Sequence, residues 1–476
     1  MIAMTLAEVV EATGGMLHHA DPAVLVSVVS TDSRSVKPGD LFVALVGPTH
    51  DGHDHVAEAL ASGAVVALVS QPMGVPSVVV ADTMVALGRL ARAQLDRLPD
   101  CTVVAITGSS GKTSTKDLVA AVLADAAETI APPGSVNNVV GLPVPALRAD
   151  EDTRFLVMEM GMRGRGHIRY LCDIAPPQVA VVTNVGSAHL ELLGSREAIA
   201  DAKAEVVQAL APTGVAILNH DDPLVLSMRR HTEAGVLTFG ESEASDVRAQ
   251  AVVLDALARA SFVVVHAGQE AAVRLRVHGR HQVSNALAAA AVGVAVGLPL
   301  ERVAEVLSSS EPASRWRMEV ARSERGTIVV NDAYNANPES VAAALEALAA
   351  MAASIPEGAR TWVVLGEMRE IGHTSAAEHR QVGLMVGHLG VSRLVVVGEG
   401  ARPAYESALA ELGAERATWV PNAEAAVALL AGVAGVAGVA GVGPDDIVLV
   451  KASRSIGLER VAMALLEPAS DKDGES

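Results

Sequence analysis

Short apolar runs alternate with amphipathic stretches along almost the whole chain. Runs at 24–29, 41–45, 64–69 and 77–80 predict four strands. Lys37, Pro38, Gly39 and Asp40 form a strong turn signal between the first two. Asp82 or Thr83 can cap a helix that runs to Leu98, and Pro99 breaks the chain beyond it. The pattern resumes with a buried strand at 102–106 and a helix at 114–126. Further strands are predicted at 154–159, 178–184 and 215–219, with a helix from Ser195 to about Leu210. Residues 251–266 predict β structure, and an Ala-rich helix follows at 286–296. Glu311, Pro312, Ala313, Ser314 and Arg315 reset the chain. Strands at 327–330, 361–365, 393–397 and 447–450 and a helix at 340–353 complete the pattern. Strands alternating with helices predict an α/β fold with parallel sheets. The two breaks divide it into three units, 1–100, 101–313 and 314–476.

The strand at 102–106 runs without a pause into Gly108, Ser109, Ser110, Gly111, Lys112 and Thr113, and Ser114 opens the predicted helix. Strand, glycine loop, Lys-Thr and helix is the layout of a phosphate cradle. Loop N–H groups and the helix N-terminus point at an anion, and the Lys neutralises it. The usual pattern has a Gly where this chain has Ile106, so the loop is a shorter variant.

Composition narrows the ligand. The 476 residues carry a net charge of −19, which argues against a nucleic-acid backbone as partner. Aromatics are only 2%, too few for base-stacking platforms. Cys101 and Cys172 are the only cysteines, which suggests a reducing compartment without a disulfide frame. Glu8 and Glu11 stand where a secretory signal would be basic and apolar. The longest apolar run, 286–300, is too short to span a bilayer. A soluble, cytoplasmic protein is expected. A run of Gly-Val-Ala triplets at 431–443 reads as a functionless low-complexity insertion, and the tail from Glu467 is polar.

Ligands of parallel sheets gather beyond the carboxyl ends of the strands, which brings several polar residues towards the loop. Glu159 ends an apolar strand. It is either an ordinary strand-end acid or a ligand for the Mg²⁺ that accompanies a triphosphate. His189 lies in a polar loop after the next strand, where a lone His is usually structural. Lys203 shares an apolar helical stripe with Ile199, Val206 and Leu210. That position is costly unless the amine is modified, paired or snorkelling, and snorkelling is the ordinary resolution. Asn137 and Asn138 sit in a turn-rich loop and by default serve the turn. Asn285 either caps the Ala-rich helix or faces a ligand. Ser33 and Arg34 follow a strand and could bind an anion. His50, His53 and His55 with Asp51 and Asp54 invite a metal, but a loop with Asp54 as helix cap is the plainer reading.

Together these pieces resemble the Mur ligases, ATP-dependent amide-forming enzymes of peptidoglycan precursor synthesis, from about residue 25 to 465. The short T-G-x-x-G-K-T loop of that family is similar to Thr107–Thr113, and its other central marks fall on Glu159, His189 and Lys203. The family carries a carbamylated Lys at this last place. The stretch from Asp332 through Tyr334 and Asn335 to Pro338 is similar to the D-x-Y-N-A-N-P signature of the family's D-alanyl-D-alanine-adding branch. Gly366, Glu367, Met368, Arg369 and Glu370 match that branch's G-E-M-x-E-L-G stretch, with Ile371 in place of Leu. Lys451, Ala452, Ser453 and Arg454 stand for its K-G-S-R, with Ala452 replacing Gly. Asp32, Ser33, Arg34 and Asp51, Gly52, His53 match its uridine-nucleotide domain. The Asn-Pro-Arg motif of the branch that adds the third residue is missing.

The resemblance implies an N-terminal UDP-substrate domain at 1–100, a central ATP-binding P-loop domain at 101–313 and a C-terminal Rossmann-like ligase domain at 314–476. It implies ATP and Mg²⁺ as cofactors, and UDP-N-acetylmuramoyl-tripeptide and D-alanyl-D-alanine as partners of a monomer. Lys112, the loop from Gly108 to Thr113 and Ser114 would hold phosphates. Thr113 and Glu159 would hold one Mg²⁺, and His189 and carbamylated Lys203 a second. Asn285, Arg315 and Asp332 would reach ATP. Ser33 and Arg34 would hold the uridine nucleotide, and Asn138, Tyr334 and Asn335 the substrate. Hinge closure on ligand binding is expected. Alternatives are a tripeptide-forming ligase, a folylpolyglutamate-synthase-like ligase, or a P-loop protein that is no ligase.

Overall fold

The computed structural model describes residues 1–432 and 441–467. Most of the Gly-Val-Ala run and the tail after Glu467 therefore lie outside the described residues. Three sheets follow one another along the chain. The first has five strands in the order Met16–His18, Ser77–Val79, Val66–Val69, Leu41–Val43, Val29–Ser30, parallel except for the first. The expected strand at 24–29 is divided. Leu25–Val26 pairs with Met4–Thr5 in a separate ribbon, and only Val29–Ser30 joins the sheet. Leu25 and Val28 are both half exposed, so this run lacks the continuous burial that holds a strand in one sheet.

The central sheet has nine strands. Thr102–Thr107 lies inside it, between Val179–Val182 and Phe155–Glu159. Four residues of 102–107 are wholly or nearly wholly buried apolar groups, as expected for a parallel strand covered on both faces. The far edge departs from the parallel pattern. Val247–Leu254, Arg259–His266 and Gln269–His278 form antiparallel hairpins. Asp255 makes the first turn by accepting from the N–H groups of Leu257 and Arg259, and Ala258 takes φ +56°. Gln269–His278 escaped the reading from apolar runs because charged residues, Glu270, Arg274 and Arg276, stand at exposed alternate positions and interrupt the run.

The Ala-rich helix, Gln282–Ala295, begins earlier than expected and packs across the phosphate-loop helix Lys112–Ala124. Small residues permit the approach. A Cβ on Gly293 would lie 2.7 Å from Val303 and 3.0 Å from Val122. The third sheet has six strands, Glu319–Arg322, Ile328–Asp332, Ile447–Lys451, Thr361–Leu365, Arg393–Val397 and Ala417–Val420, all parallel except the first. Its helix Pro338–Ala352 starts at an Asn337 capping box, with Pro at the first position, where no N–H is needed. Among the described residues no helix is long and apolar enough to cross a membrane.

Candidate active site

The carboxyl ends of the central and third sheets face one cavity of about 1120 Å³. The phosphate loop forms its floor. Gly108 stands at φ +155°, and a Cβ there would lie 1.8 Å from Thr183 Oγ1. Gly111 is left-handed at φ +79°, with Asn285 Oδ1 2.5 Å from where a Cβ would be. The loop is held from below. Asn184 Oδ1 accepts from the N–H groups of Ser109 (3.2 Å) and Ser110 (2.9 Å), and the Thr183 hydroxyl donates to the Ser110 carbonyl. Lys112 Nζ folds back onto the Gly108 carbonyl at 2.8 Å. Burial lowers the Lys112 pKa, and Glu159 works against that shift.

Glu159 is 1% exposed, yet both of its oxygens are satisfied. Thr113 Oγ1 donates to Oε2 at 2.7 Å; Ser135 Oγ and Asn137 Nδ2 donate to Oε1 at 2.8 and 2.7 Å. Burial pushes the carboxyl up, but Lys112, Thr113, Arg317 and Asn137 outweigh it and hold the pKa below the usual range. A buried carboxylate beside a Thr hydroxyl at the mouth of a phosphate cradle is a hard-oxygen donor pair that fits Mg²⁺. Among the described residues no three His, Cys, Asp or Glu side chains converge on a ready-made metal cluster. A metal here would need hydroxyl and phosphate oxygens as well.

His189 takes the left-handed conformation, φ +67°, at the start of a short helical turn. Its buried Nδ1 has no hydrogen-bond partner and lies 3.4 Å from Glu370 Oε2 without the alignment of a bond. Burial, then Lys112, Lys203 and Arg163, lower its pKa to about 4, so the ring is neutral at pH 7. Lys203 lies in the middle of the helix Arg196–Gln208 and is 1% exposed. Snorkelling is thereby ruled out for this amine. It makes no hydrogen bond or ion pair with any described residue, and burial drives its pKa well below the usual lysine value. A buried amine without a protein partner, its pKa lowered by burial, is disposed to lose its proton and react with CO2, so the site fits a carbamate.

The third sheet closes the cavity. Asp332 and Lys451 are register partners at the ends of adjacent strands and form a buried ion pair. Lys451 also donates to the Asn335 carbonyl at 3.1 Å. Tyr334 lies under the guanidinium of Arg317, 4.1 Å from the ring centre. Arg317 lines the cavity, whereas Arg315, the arginine expected from the sequence, does not. Both lie two residues apart in the turn that joins the sheets, and nothing in their spacing separates them. Ser114, Asn138, Asn285, Tyr334 and Asn335 all line the cavity. Asn285 does not cap its helix; its amide joins Thr115 to Gln282. Asn138 Oδ1 accepts from Val140 and Gly141, serving the turn as well.

Ser33 and Arg34 do not reach this cavity. Ser33 donates to Glu58, and Arg34 forms a fork with Asp32 on the surface. Pro48 is the one lining residue from the first 100. The His cluster nearby is structural. His53 accepts from Ser70 N–H at 2.9 Å and pairs with Asp51 at 2.6 Å, and Asp51 rather than Asp54 is the cap. Asn137, expected by default to serve the turn, instead donates to Glu159. Asn184, Ser135 and Arg317 were not singled out, and of these only Asn184 carried a signal, as a polar residue just past a predicted strand end.

Models of known families match three consecutive parts of the chain. These are "Mur ligase family, catalytic domain" over residues 25–97, "Mur ligase middle domain" over 106–293 and "Mur ligase, glutamate ligase domain" over 316–454. The UDP-N-acetylmuramoyl-tripeptide–D-alanyl-D-alanine ligase of Mycobacterium tuberculosis (strain ATCC 25618 / H37Rv) is 44% identical, with 98% of each chain covered. A crystal structure of MurF from Acinetobacter baumannii superimposes with a TM-score of 0.87 at 31% identity, covering 98% of this chain and 99% of that one. MurF from Thermotoga maritima in complex with ADP gives a TM-score of 0.79 at 29% identity, covering 92% and 97%. Whole-length identity at this level, together with a matching three-sheet fold, shows that this chain belongs to the Mur ligase family and is of the MurF type.

Proposed function

We propose that the chain joins D-alanyl-D-alanine to UDP-N-acetylmuramoyl-tripeptide at the expense of ATP, giving the UDP-pentapeptide, ADP and phosphate. The carrying observation is the single cavity in which the phosphate loop meets Asp332, Tyr334, Asn335 and Lys451. An amide does not form from a carboxylate at neutral pH without activation. A carboxylate oxygen of the tripeptide attacks the γ-phosphorus, and the bond to the β-phosphate oxygen breaks, leaving ADP and an acyl phosphate. The amine of D-alanyl-D-alanine then attacks that carbonyl carbon, phosphate departs with the carbonyl C–O bond pair, and the amine gives up a proton.

Phosphoryl transfer depends mainly on positioning and charge neutralisation. In this reading the loop N–H groups from Gly108 to Thr113 and the Lys112 ammonium hold the β- and γ-phosphates, and Ser114 continues that surface. Thr113 and Glu159 would hold a Mg²⁺, whose charge stabilises the phosphate oxygens. His189, neutral at pH 7, and Lys203 as a carbamate would hold a second. Asp332, Asn285 and Arg317, in place of Arg315, reach the nucleotide. Asn138, Tyr334 and Asn335 orient the acyl substrate. Ser33 and Arg34 take the uridine nucleotide at the far end of an extended substrate. The accompanying units are 1–100, 101–313 and 314–476. One chain completes the cavity by itself, which supports action as a monomer, and soluble nucleotide-linked substrates suit the cytoplasm.

The test is ADP release with both the diaminopimelate- and the lysine-containing UDP-tripeptide, each with D-alanyl-D-alanine. ADP should form at the rate of the pentapeptide with at least one of them. ADP formation with diaminopimelate or glutamate as the amine, and none with D-alanyl-D-alanine, would overturn the assignment.

A further inference from the structure

Lys116 is 1% exposed, lies one turn beyond Lys112 on the same helix, and has no part in the chemistry above. A buried ammonium is tolerated only when its donors are satisfied. Lys116 Nζ donates to the carbonyls of Pro132 and of Gly134 (3.0 Å) and pairs with Asp117 at 2.9 Å. Both carbonyls belong to the start of the irregular loop at 132–138, where Gly134 takes φ +64°. The other end of the loop is held by Gly161, whose N–H donates to the Asn137 carbonyl at 2.8 Å. Between these anchors the loop delivers Ser135 and Asn137 to Glu159 Oε1, and Asn137 Nδ2 also donates to Ser135 Oγ at 2.9 Å.

We infer that Lys116 is a positioning residue. It pins the loop so that Ser135 and Asn137 hold one oxygen of Glu159, which keeps the other turned to Thr113 and the phosphate cradle. One helix thus sets the phosphate-binding lysine, the threonine and, through the loop, the carboxylate. The inference rests on the reading of Glu159 as a metal-holding group. Outer-shell groups of this kind commonly change metal affinity by about 10–100-fold.

Lys116→Met keeps the apolar stem and removes the donors. Two readouts are taken on the full chain: amide hydrogen exchange across 133–140 without ligands, and Mn²⁺ affinity in the presence of ADP by electron paramagnetic resonance. Exchange should accelerate in that segment and not in Lys112–Ala124, and Mn²⁺ affinity should fall about tenfold. Glu159→Gln serves as reference. If it leaves Mn²⁺ affinity unchanged, the metal reading of Glu159 is wrong. If it weakens Mn²⁺ binding while Lys116→Met changes either readout not at all, the role of Lys116 is overturned. Should thermal melting show Lys116→Met to be unfolded, Lys116→Gln is judged by the same two criteria.

Discussion

At the scale of single residues, backbone space and burial decide most of the site. Alanine at Gly108 would bring a Cβ within 1.8 Å of Thr183 Oγ1, so the loop would have to shift. Overpacking of this kind costs about 1–3 kcal/mol. Gly108→Ala should therefore weaken ADP binding, measured by calorimetry, by about tenfold or more. Lys203 makes a different demand. Lys203→Ala should abolish ligation, and high bicarbonate should not restore it. Protein incubated with ¹³C-bicarbonate should show a carbamate resonance that is absent from the variant; near-normal turnover would end the carbamate reading. The two thiols offer a pH test. Burial pushes Cys101 up to about 11 and Cys172 up to about 12, above the ordinary thiol value of 9.0. A raised thiol pKa favours the fold below pH 9 and withdraws that stability as the pH climbs towards the folded values. Native protein at pH 8 should react with a disulfide reagent far more slowly than unfolded protein, which should expose two thiols.

At the scale of elements, close packing explains the composition of the Ala-rich helix. Eleven residues of Gln282–Ala295 are buried, from Gln282 to Gly293, so no polar face distinguishes its start from its interior. Gly293→Val would push a side chain into Val303 and Val122. A loss of about 1–3 kcal/mol is expected, read as a lower urea midpoint with the slope unchanged. Parallel strands were legible because they are buried on both faces and read as continuous apolar runs. The edge strand Gln269–His278 was not, since alternate positions such as Arg274 and Arg276 face solvent. The run at 24–29 misled for the opposite reason. Its apolar residues are shared between two small sheets, with Leu25 and Val28 left half exposed.

At the scale of the whole molecule, the third sheet touches the central one where the chemistry is expected. Glu339 accepts from the Ser187 N–H (2.7 Å) and hydroxyl (3.1 Å), and Asn337 Nδ2 reaches the Ser109 carbonyl at 3.5 Å. Glu370 approaches His189 from the same side. A Cβ on Gly186 would meet the Glu339 carboxylate at 2.6 Å, so this glycine makes room for the contact. Docking of the third sheet therefore bears on the turn that carries His189. Glu339→Arg should increase the ligand-free radius of gyration in small-angle scattering. It should lower kcat more than it weakens ADP binding, because the loop proposed to hold the phosphates is carried by a strand and a helix of the central unit. An unchanged scattering curve with unchanged kcat would dismiss the contact as incidental.

The family came from the resemblance of motifs spread from about residue 25 to 465. The local pattern was enough to determine the α/β class, the three units and the phosphate loop. Each depends on spacing within a few tens of residues, and a strand-loop-helix motif carries its own geometry. Tertiary structure decided what the residues around that loop touch. It turned Asn285 towards Thr115, chose Arg317 over Arg315 for the cavity, and set Asn137 rather than Asn138 on Glu159. It also left Lys203 buried without a partner, where its stripe had allowed snorkelling. These outcomes depend on packing between segments far apart along the chain, such as Thr115 and Asn285, which are 170 positions apart. Periodicity along the chain carries no information at that distance.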